Sequence, residues 1–226
     1  MGVWKNIVDL SLPLSRTTPV YPGDPAIDLK EAKTIEKDRV NILSLKISTH
    51  HGTHFDAPFH QLGDGRTLDS FPPEYFVNKA LKIDLTKTKE GMAKKAGIKY
   101  KQVITEKDLM PHDPHIRRAE ALVLYTGYGR LLQEGLIDTD FPYLTGEAAN
   151  YVHYFDNLRL IGIDSPTIDA YHEKAAHHGL FARPDVLVVE TMVNLEVVPE
   201  WFTLLALPLL IDHSDGAPAR VLAAWD

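Results

Sequence analysis

Apolar and polar positions along this chain alternate or cluster in short runs, and sustained helical periodicity is scarce. Residues 7–12 alternate enough to predict a short strand. Leu43, Leu45 and Ile47 alternate with Ser44, Lys46 and Ser48, the pattern of a half-buried strand running straight into His50. Residues 80–85 form another strand candidate. Residues 121–126, 160–164 and 186–190 are almost unbroken apolar runs with turn-rich flanks, which predicts buried strands. Residues 204–211 and 220–225 close the chain as strands. Residues 145–154 predict a helix, with Thr145 as its N-cap and Glu147 in the favourable first turn. Residues 18–25 carry three prolines and a glycine, giving a rigid extended loop. Many strands with few helices predict a β-rich α/β fold, a mixed sheet whose strand order the pattern does not give. Residues 87–107 mix Lys with Glu and show little apolar periodicity, so they are expected to be a solvated polar excursion from a single domain spanning 1–226.

Composition narrows the class. With 44% hydrophobic and 24% charged residues in 226, the chain is an ordinary globular sequence. A net charge of −7 gives no support to binding nucleic acid through its phosphates. There is no cysteine, so any metal site must use His, carboxylate, amide or water ligands. That fits a reducing cytoplasm, and residues 1–12 lack the features of a secretory leader. No apolar stretch reaches the roughly 18 residues that span a bilayer, and residues 201–211 are interrupted by Pro208. A cytoplasmic location, with neither membrane nor nucleic acid as partner, is therefore expected.

One segment is chemically unusual. His50, His51, His54 and His60 place four of the chain's 11 histidines in a short stretch that also holds Asp56. A structural histidine needs one hydrogen-bond partner, and crowding several together gains nothing for packing. Imidazole and carboxylate are ligands that zinc and similar divalent metals favour. In a straight strand His50 and Asp56 would lie roughly 20 Å apart, too far to share an ion. A helix would turn Asp56 and His60 away from His50 and bury Pro58 in its interior. The segment is therefore expected to bend, with Gly52 and Pro58 as suitable residues for the bends. Elsewhere, Ala176-His177-His178 precedes an apolar run ending in Glu190, and a buried Glu is costly unless paired or coordinated. Asp164 and Asp169 flank a turn at a strand end and either support such a site or form the turn. His112 and His115 abut the polar excursion and read as surface residues.

The pattern His50-x-Gly52-Thr53-His54-x-Asp56-x-Pro58-x-His60 resembles the signature of the metal-dependent cyclase/kynurenine formamidase (arylformamidase) family, matching all seven fixed positions. The similarity continues through residues 19–24, 162–169 and 176–178, Glu190, and residues 215–218. The resemblance implies a cyclase-like fold of swivelling β/β/α type and a site for two divalent ions, usually zinc, with manganese in some relatives. It implies that His50, His54 and Asp56 hold one ion. Asp56 then bridges to a second ion, held by Glu190 and by either His177 or His178. Family order favours the first of the pair, whereas the spacing to Glu190 favours the second. It further implies that His60 is the acid/base, that Tyr21 sits where formamidases carry a substrate-packing aromatic (usually Trp), and that the chain forms a homo-oligomer. The expected activity is hydrolysis of a small aryl formamide. The rivals are a hydrolase of a cyclic amide or lactone of the isatin type, and a non-catalytic metal-binding protein. His60 argues against the last, since a purely structural site has no use for it.

Overall fold

The computed structural model describes residues 4–226. Fourteen strands run in chain order as β1 (Asn6–Asp9), β2 (Asp28–Lys33), β3 (Ile42–Lys46), β4 (His54–Asp56), β5 (Val77–Asp84), β6 (Met92–Lys95), β7 (Ile98–Lys101), β8 (Val103–Ile104), β9 (Ala121–Tyr125), β10 (Tyr143–Leu144), β11 (Leu160–Ile163), β12 (Leu187–Glu190), β13 (Trp201–Pro208) and β14 (Gly216–Trp225). The α-helices are short: α1 (Ile35–Asp38), α2 (Glu106–Leu109), α3 (Asp113–Ile116), α4 (Gly129–Gln133), α5 (Gly146–His153) and α6 (Ala175–Phe181).

Eight strands form one mixed sheet in the order β1-β14-β13-β5-β9-β11-β12-β4. The neighbours β5, β9, β11 and β12 run parallel, and the remaining pairs are antiparallel. β14 accepts β1 along its C-terminal part and β4 at Gly216–Pro218, which closes seven of the strands into a barrel. Closure leaves no open edge on those strands.

The parallel strands are apolar along their whole length because both of their faces are covered. Ala121, Val123, Leu160, Leu187 and Val189 point into the barrel with Phe55, Leu204 and Val221. The alternate residues Leu122, Leu124, Ile161, Ile163 and Val188 point outward onto Ala148, Ala149 and Val152 of α5 and Leu180 and Phe181 of α6. Period-two alternation thus divides each strand between two cores. Helix α5 begins as expected, with the Thr145 side chain accepting from the Ala148 N–H.

Three expectations are corrected. β3 is a strand, but it pairs with β2 in a hairpin off the main sheet and every residue is exposed, so it is not half-buried. Alternation reports strand geometry but cannot say whether a second layer covers the strand. Residues 87–107 are not simply solvated: β6 and β7 form a hairpin, and Ile98, Tyr100 and Ile104 are buried. Lys101 is buried too, its charge met by Asp108 at 2.6 Å and the Glu90 carbonyl at 3.0 Å. The closing strands are also displaced, β13 beginning at Trp201 and ending at Pro208, and β14 beginning at Gly216. Pro208 has no N–H to continue the ladder beyond that point. No helix among the described residues is long and apolar enough to cross a membrane.

Candidate metal centre and catalytic cleft

The histidine-rich segment bends as its composition demands. A turn over residues 49–53 leads into β4, and a 3-10 turn over Pro58–His60 follows. Gly52 makes the first bend at φ +67, and a Cβ there would meet Leu14 at 2.7 Å. Pro58 opens the second, in an N-terminal helical position where its missing N–H costs nothing. Thr53 ties the bend down: its hydroxyl donates to the Thr191 carbonyl at 2.6 Å and accepts from the Leu12 N–H at 2.8 Å. Thr191 follows Glu190 and sits at φ 60, a strained conformation for a β-branched residue that this hydrogen bond helps to hold.

β4 pairs with β12 so that His54 lies opposite Glu190, the last residue of a parallel strand. Functional groups commonly gather at that end of parallel sheets. His177, on the buried side of α6, completes the cluster. One residue of helix is a turn of about 100°, and His178 is accordingly exposed and outside it. Helical rotation, not sequence spacing, thus decides which imidazole faces the sheet, and that one is His177.

Asp56 stands at the centre. Its Oδ1 is 2.6 Å from His50 Nδ1 and 3.4 Å from His54 Nε2, whereas Oδ2 is 3.2 Å from His177 Nε2. Glu190 lies 3.5 Å from both His54 Nε2 and His177 Nε2, and accepts from the Ile168 N–H at 2.7 Å. Three sets of potential donors result, His50-His54-Asp56, Asp56-His177-Glu190 and the less buried His50-His60-Asp215, with Asp56 in the first two.

The far nitrogen of each imidazole is tied elsewhere. His54 Nδ1 donates to the Gly52 carbonyl at 2.8 Å, which fixes the tautomer and leaves Nε2 a lone pair. His177 Nδ1 donates to Asp169 Oδ2 at 2.5 Å, and His50 Nε2 to Asp215 Oδ2 at 2.8 Å. Asp169 also accepts from the Ala176 and His177 N–H groups, binding the start of α6 to the site. Asp164 belongs to the scaffold: it accepts from the Thr126 N–H and hydroxyl and from the Gly127 and Gly129 N–H groups.

Electrostatically the cluster is held together by carboxylate–imidazole pairs. Burial pushes Glu190 upward, and the neighbouring Asp56 charge adds to this. Asp56 is driven well below the usual carboxylate range, because the charges of His54 and His50 outweigh its burial. Burial alone would lower His177, but its hydrogen bonds to Asp169 and Asp56 push it up to about 10. His50 is likewise raised to about 10, by the Asp56 charge and its bonds to Asp215 and Asp56. Among the described residues, no lysine or arginine pairs with Asp56, Glu190 or Asp169. Buried carboxylates normally demand such a partner. Divalent cations would satisfy these groups, and the chemistry and convergence of the donor sets fit them.

Above the cluster opens a cleft of about 320 Å³, lined by Tyr21, His60, Pro166, Thr167 and His172 among others. Tyr21 forms one wall, its ring 5.9 Å from those of Phe141 and Tyr171. His60 stacks on His50 with ring centroids 4.1 Å apart. Structure thus brings together His50, His54, Asp56, His60, His177, Glu190 and Tyr21, and leaves out His178. Asp215 acquired no role from sequence, although the run Asp215-Gly216 was visible as a short motif. His115 is exposed and faces Glu200 at 3.0 Å, away from the cleft.

Fold and donor sets together define an α/β protein with paired His/Asp/Glu groups able to bind metal at the ends of its sheet strands. The family model described as "Putative cyclase" matches residues 8–170. The kynurenine formamidase of Bacillus cereus is 30% identical over 218 residues, covering 95% of each chain. That of Geobacillus thermodenitrificans is 31% identical over 223 residues, covering 97% of this chain and 96% of the relative. Isatin hydrolase A from Labrenzia aggregata shares the fold with a TM-score of 0.81 at 23% identity, over 97% of this chain and 93% of that one. A solved protein described as a potential metal-dependent hydrolase with cyclase activity superposes with a TM-score of 0.75 at 24% identity, over 96% of both chains. The chain belongs to the cyclase family.

Proposed function

We propose that this chain is a metal-dependent hydrolase that cleaves a small aryl formamide of the N-formyl-kynurenine type. The observation that carries this reading is the position of Asp56, whose two oxygens face different imidazoles and belong to two donor sets. His50, His54 and Asp56 would hold one divalent ion, and Asp56, His177 and Glu190 a second, zinc or manganese. Bound there, such ions supply Lewis acidity, making a water acidic enough to lose its proton near neutral pH and polarising a carbonyl. His60 takes that proton and delivers it to the leaving nitrogen as the C–N bond breaks and the new C–O bond forms. Tyr21, braced by Phe141 and Tyr171, gives a flat apolar wall against which an aryl ring packs. A cleft of about 320 Å³ suits one or two rings and excludes a polymer. The formamidases of Bacillus cereus and Geobacillus thermodenitrificans add support, since they align along nearly the whole chain.

Tyr21 in place of the usual Trp supports a second reading, hydrolysis of a cyclic amide or lactone such as isatin. Zinc- and manganese-loaded protein should be assayed against N-formyl-kynurenine, isatin and simple cyclic imides. Preferential turnover of N-formyl-kynurenine bears out the first reading, and preferential ring opening the second. His60→Ala should retain both ions and lose turnover, and Asp56→Ala should lose both ions. Activity that survives complete chelation would sink the metal-dependent reading.

A further inference from the structure

Asp215 lies on the strand-entry turn before β14, far in sequence from the histidine-rich segment, yet one of its oxygens meets two imidazoles. Oδ2 is 2.8 Å from His50 Nε2 and 3.4 Å from His60 Nδ1. The approach is built into the backbone. Ala57, at the base of the turn carrying His60, donates its N–H to the Asp215 carbonyl at 2.9 Å. Gly216 pairs with Asp56, and a Cβ there would meet the Phe55 carbonyl oxygen at 2.2 Å and His50 Cε1 at 3.0 Å. Only glycine lets this strand run close enough to bring Asp215 onto the two rings.

His50, His60 and Asp215 could also be read as a third donor set. The chemistry of His50 argues against it. A neutral imidazole has one lone pair and one N–H. Its Nδ1 faces buried Asp56 and Nε2 faces half-exposed Asp215, so His50 can serve one donor set and must donate a hydrogen bond on the other side. The buried side, with Asp56 and His54, is the more complete. Asp215 is then left to accept, and the same oxygen also faces His60 Nδ1, at the longer distance of 3.4 Å. Nor does simple surface pairing account for it. His50, His60 and Asp215 are only partly exposed, and the glycine contact shows a backbone built for close approach at this position.

We infer that Asp215 is a positioning residue, holding His60 with its proton on Nδ1 and the lone pair of Nε2 free for the cleft. The inference rests on the hydrolase reading for its purpose, but its geometry can be tested without any substrate. Asp215→Asn keeps a carbonyl oxygen that can accept from both imidazoles without the charge, and so leaves the His60 proton on Nδ1. Asp215→Ala removes the acceptor without supplying a donor.

Zinc-saturated protein labelled with 15N at histidine would be examined by NMR at about pH 8.5, well above the ordinary imidazole value. His60→Ala identifies the His60 signal. The expected result is an Nδ1–H tautomer in the wild type and in Asp215→Asn, and a mixture in Asp215→Ala. Zinc content at saturation stays unchanged in both variants. On whichever substrate the wild type turns over, Asp215→Ala lowers kcat by about tenfold or more with little change in KM, part of the acid/base contribution, and Asp215→Asn largely retains it. A wild-type His60 protonated on Nε2 overturns the inference even if neither variant folds. So does an Asp215→Ala enzyme with wild-type tautomer and kcat. Loss of zinc at saturation would make Asp215 a ligand instead. If no amide, imide or lactone is hydrolysed, the functional reading fails while the tautomer result still decides the role of Asp215.

Discussion

Asp169 offers a sharp test of how the site is held together. It is 3% exposed and its two oxygens have different duties. Oδ1 accepts from the N–H groups of Ala176 at 2.7 Å and His177 at 3.3 Å, and Oδ2 accepts from His177 Nδ1 at 2.5 Å. Asp169→Asn can keep the first duty through its carbonyl oxygen but turns an NH2 group toward His177. The imidazole must then carry its proton on Nε2, the nitrogen facing Asp56 at 3.2 Å, and so loses the lone pair needed for an ion. Losing this charge-assisted hydrogen bond costs about 1.5–3 kcal/mol. Loss of such a partner behind a ligating histidine typically weakens metal binding about 10–100-fold. Asp169→Ala additionally strands two buried N–H groups at about 1–3 kcal/mol each, for a total of roughly 4–9 kcal/mol. At about 2–4 °C per kcal/mol for a chain of this size, its melting point should fall by roughly 10–30 °C. Thermal unfolding of metal-free protein and zinc affinity by chelator competition would measure both effects. Wild-type zinc affinity in Asp169→Asn would refute the tautomer argument, and equal melting points for the two variants would refute the division of duties between the oxygens.

Other predictions test neighbouring parts of the site. His177→Ala should lower the number of bound ions, whereas His178→Ala should leave it unchanged; metal analysis of the purified variants decides. In the metal-free chain the raised values of His50 and His177 stabilise the fold fully below pH 6.5, and that contribution is lost as pH rises through about 10. Because coordination needs neutral imidazole, zinc uptake at pH 7 should release protons and tighten as pH rises, so the calorimetric heat should vary with the buffer's ionisation enthalpy. A buffer-independent heat would contradict this. Asp164→Asn should destabilise the chain by about 2–4 kcal/mol in chemical unfolding, since its NH2 group would face the Gly127 and Gly129 N–H groups that the carboxylate now accepts from.

Much of this was legible before any coordinates. Runs 121–126, 160–164 and 186–190 announced buried strands because a strand covered on both faces needs apolar residues throughout. The bend in the histidine segment followed from geometry, since neither a straight strand nor a helix could gather His50, His54 and Asp56. Other features were hidden. Lys and Glu around residue 100 looked solvated because charge pairing inside the fold cannot be read from composition: Lys101 is buried against Asp108. β3 looked half-covered because alternation says nothing of what lies on the apolar face. Helix α6 was missed because it is only seven residues long and holds two adjacent histidines followed by Gly179 in place of a clear apolar stripe.

The chain alone determined the donor types, the bends and the kind of chemistry, because ligand preference, glycine and proline geometry and strand periodicity are local properties. Tertiary structure decided which of two adjacent histidines turns inward, that Glu190 lies opposite His54, and that Asp215 returns to His60 from 155 residues away. Those facts depend on barrel closure and helix rotation. Each is set by packing between segments distant in sequence, which no local pattern records.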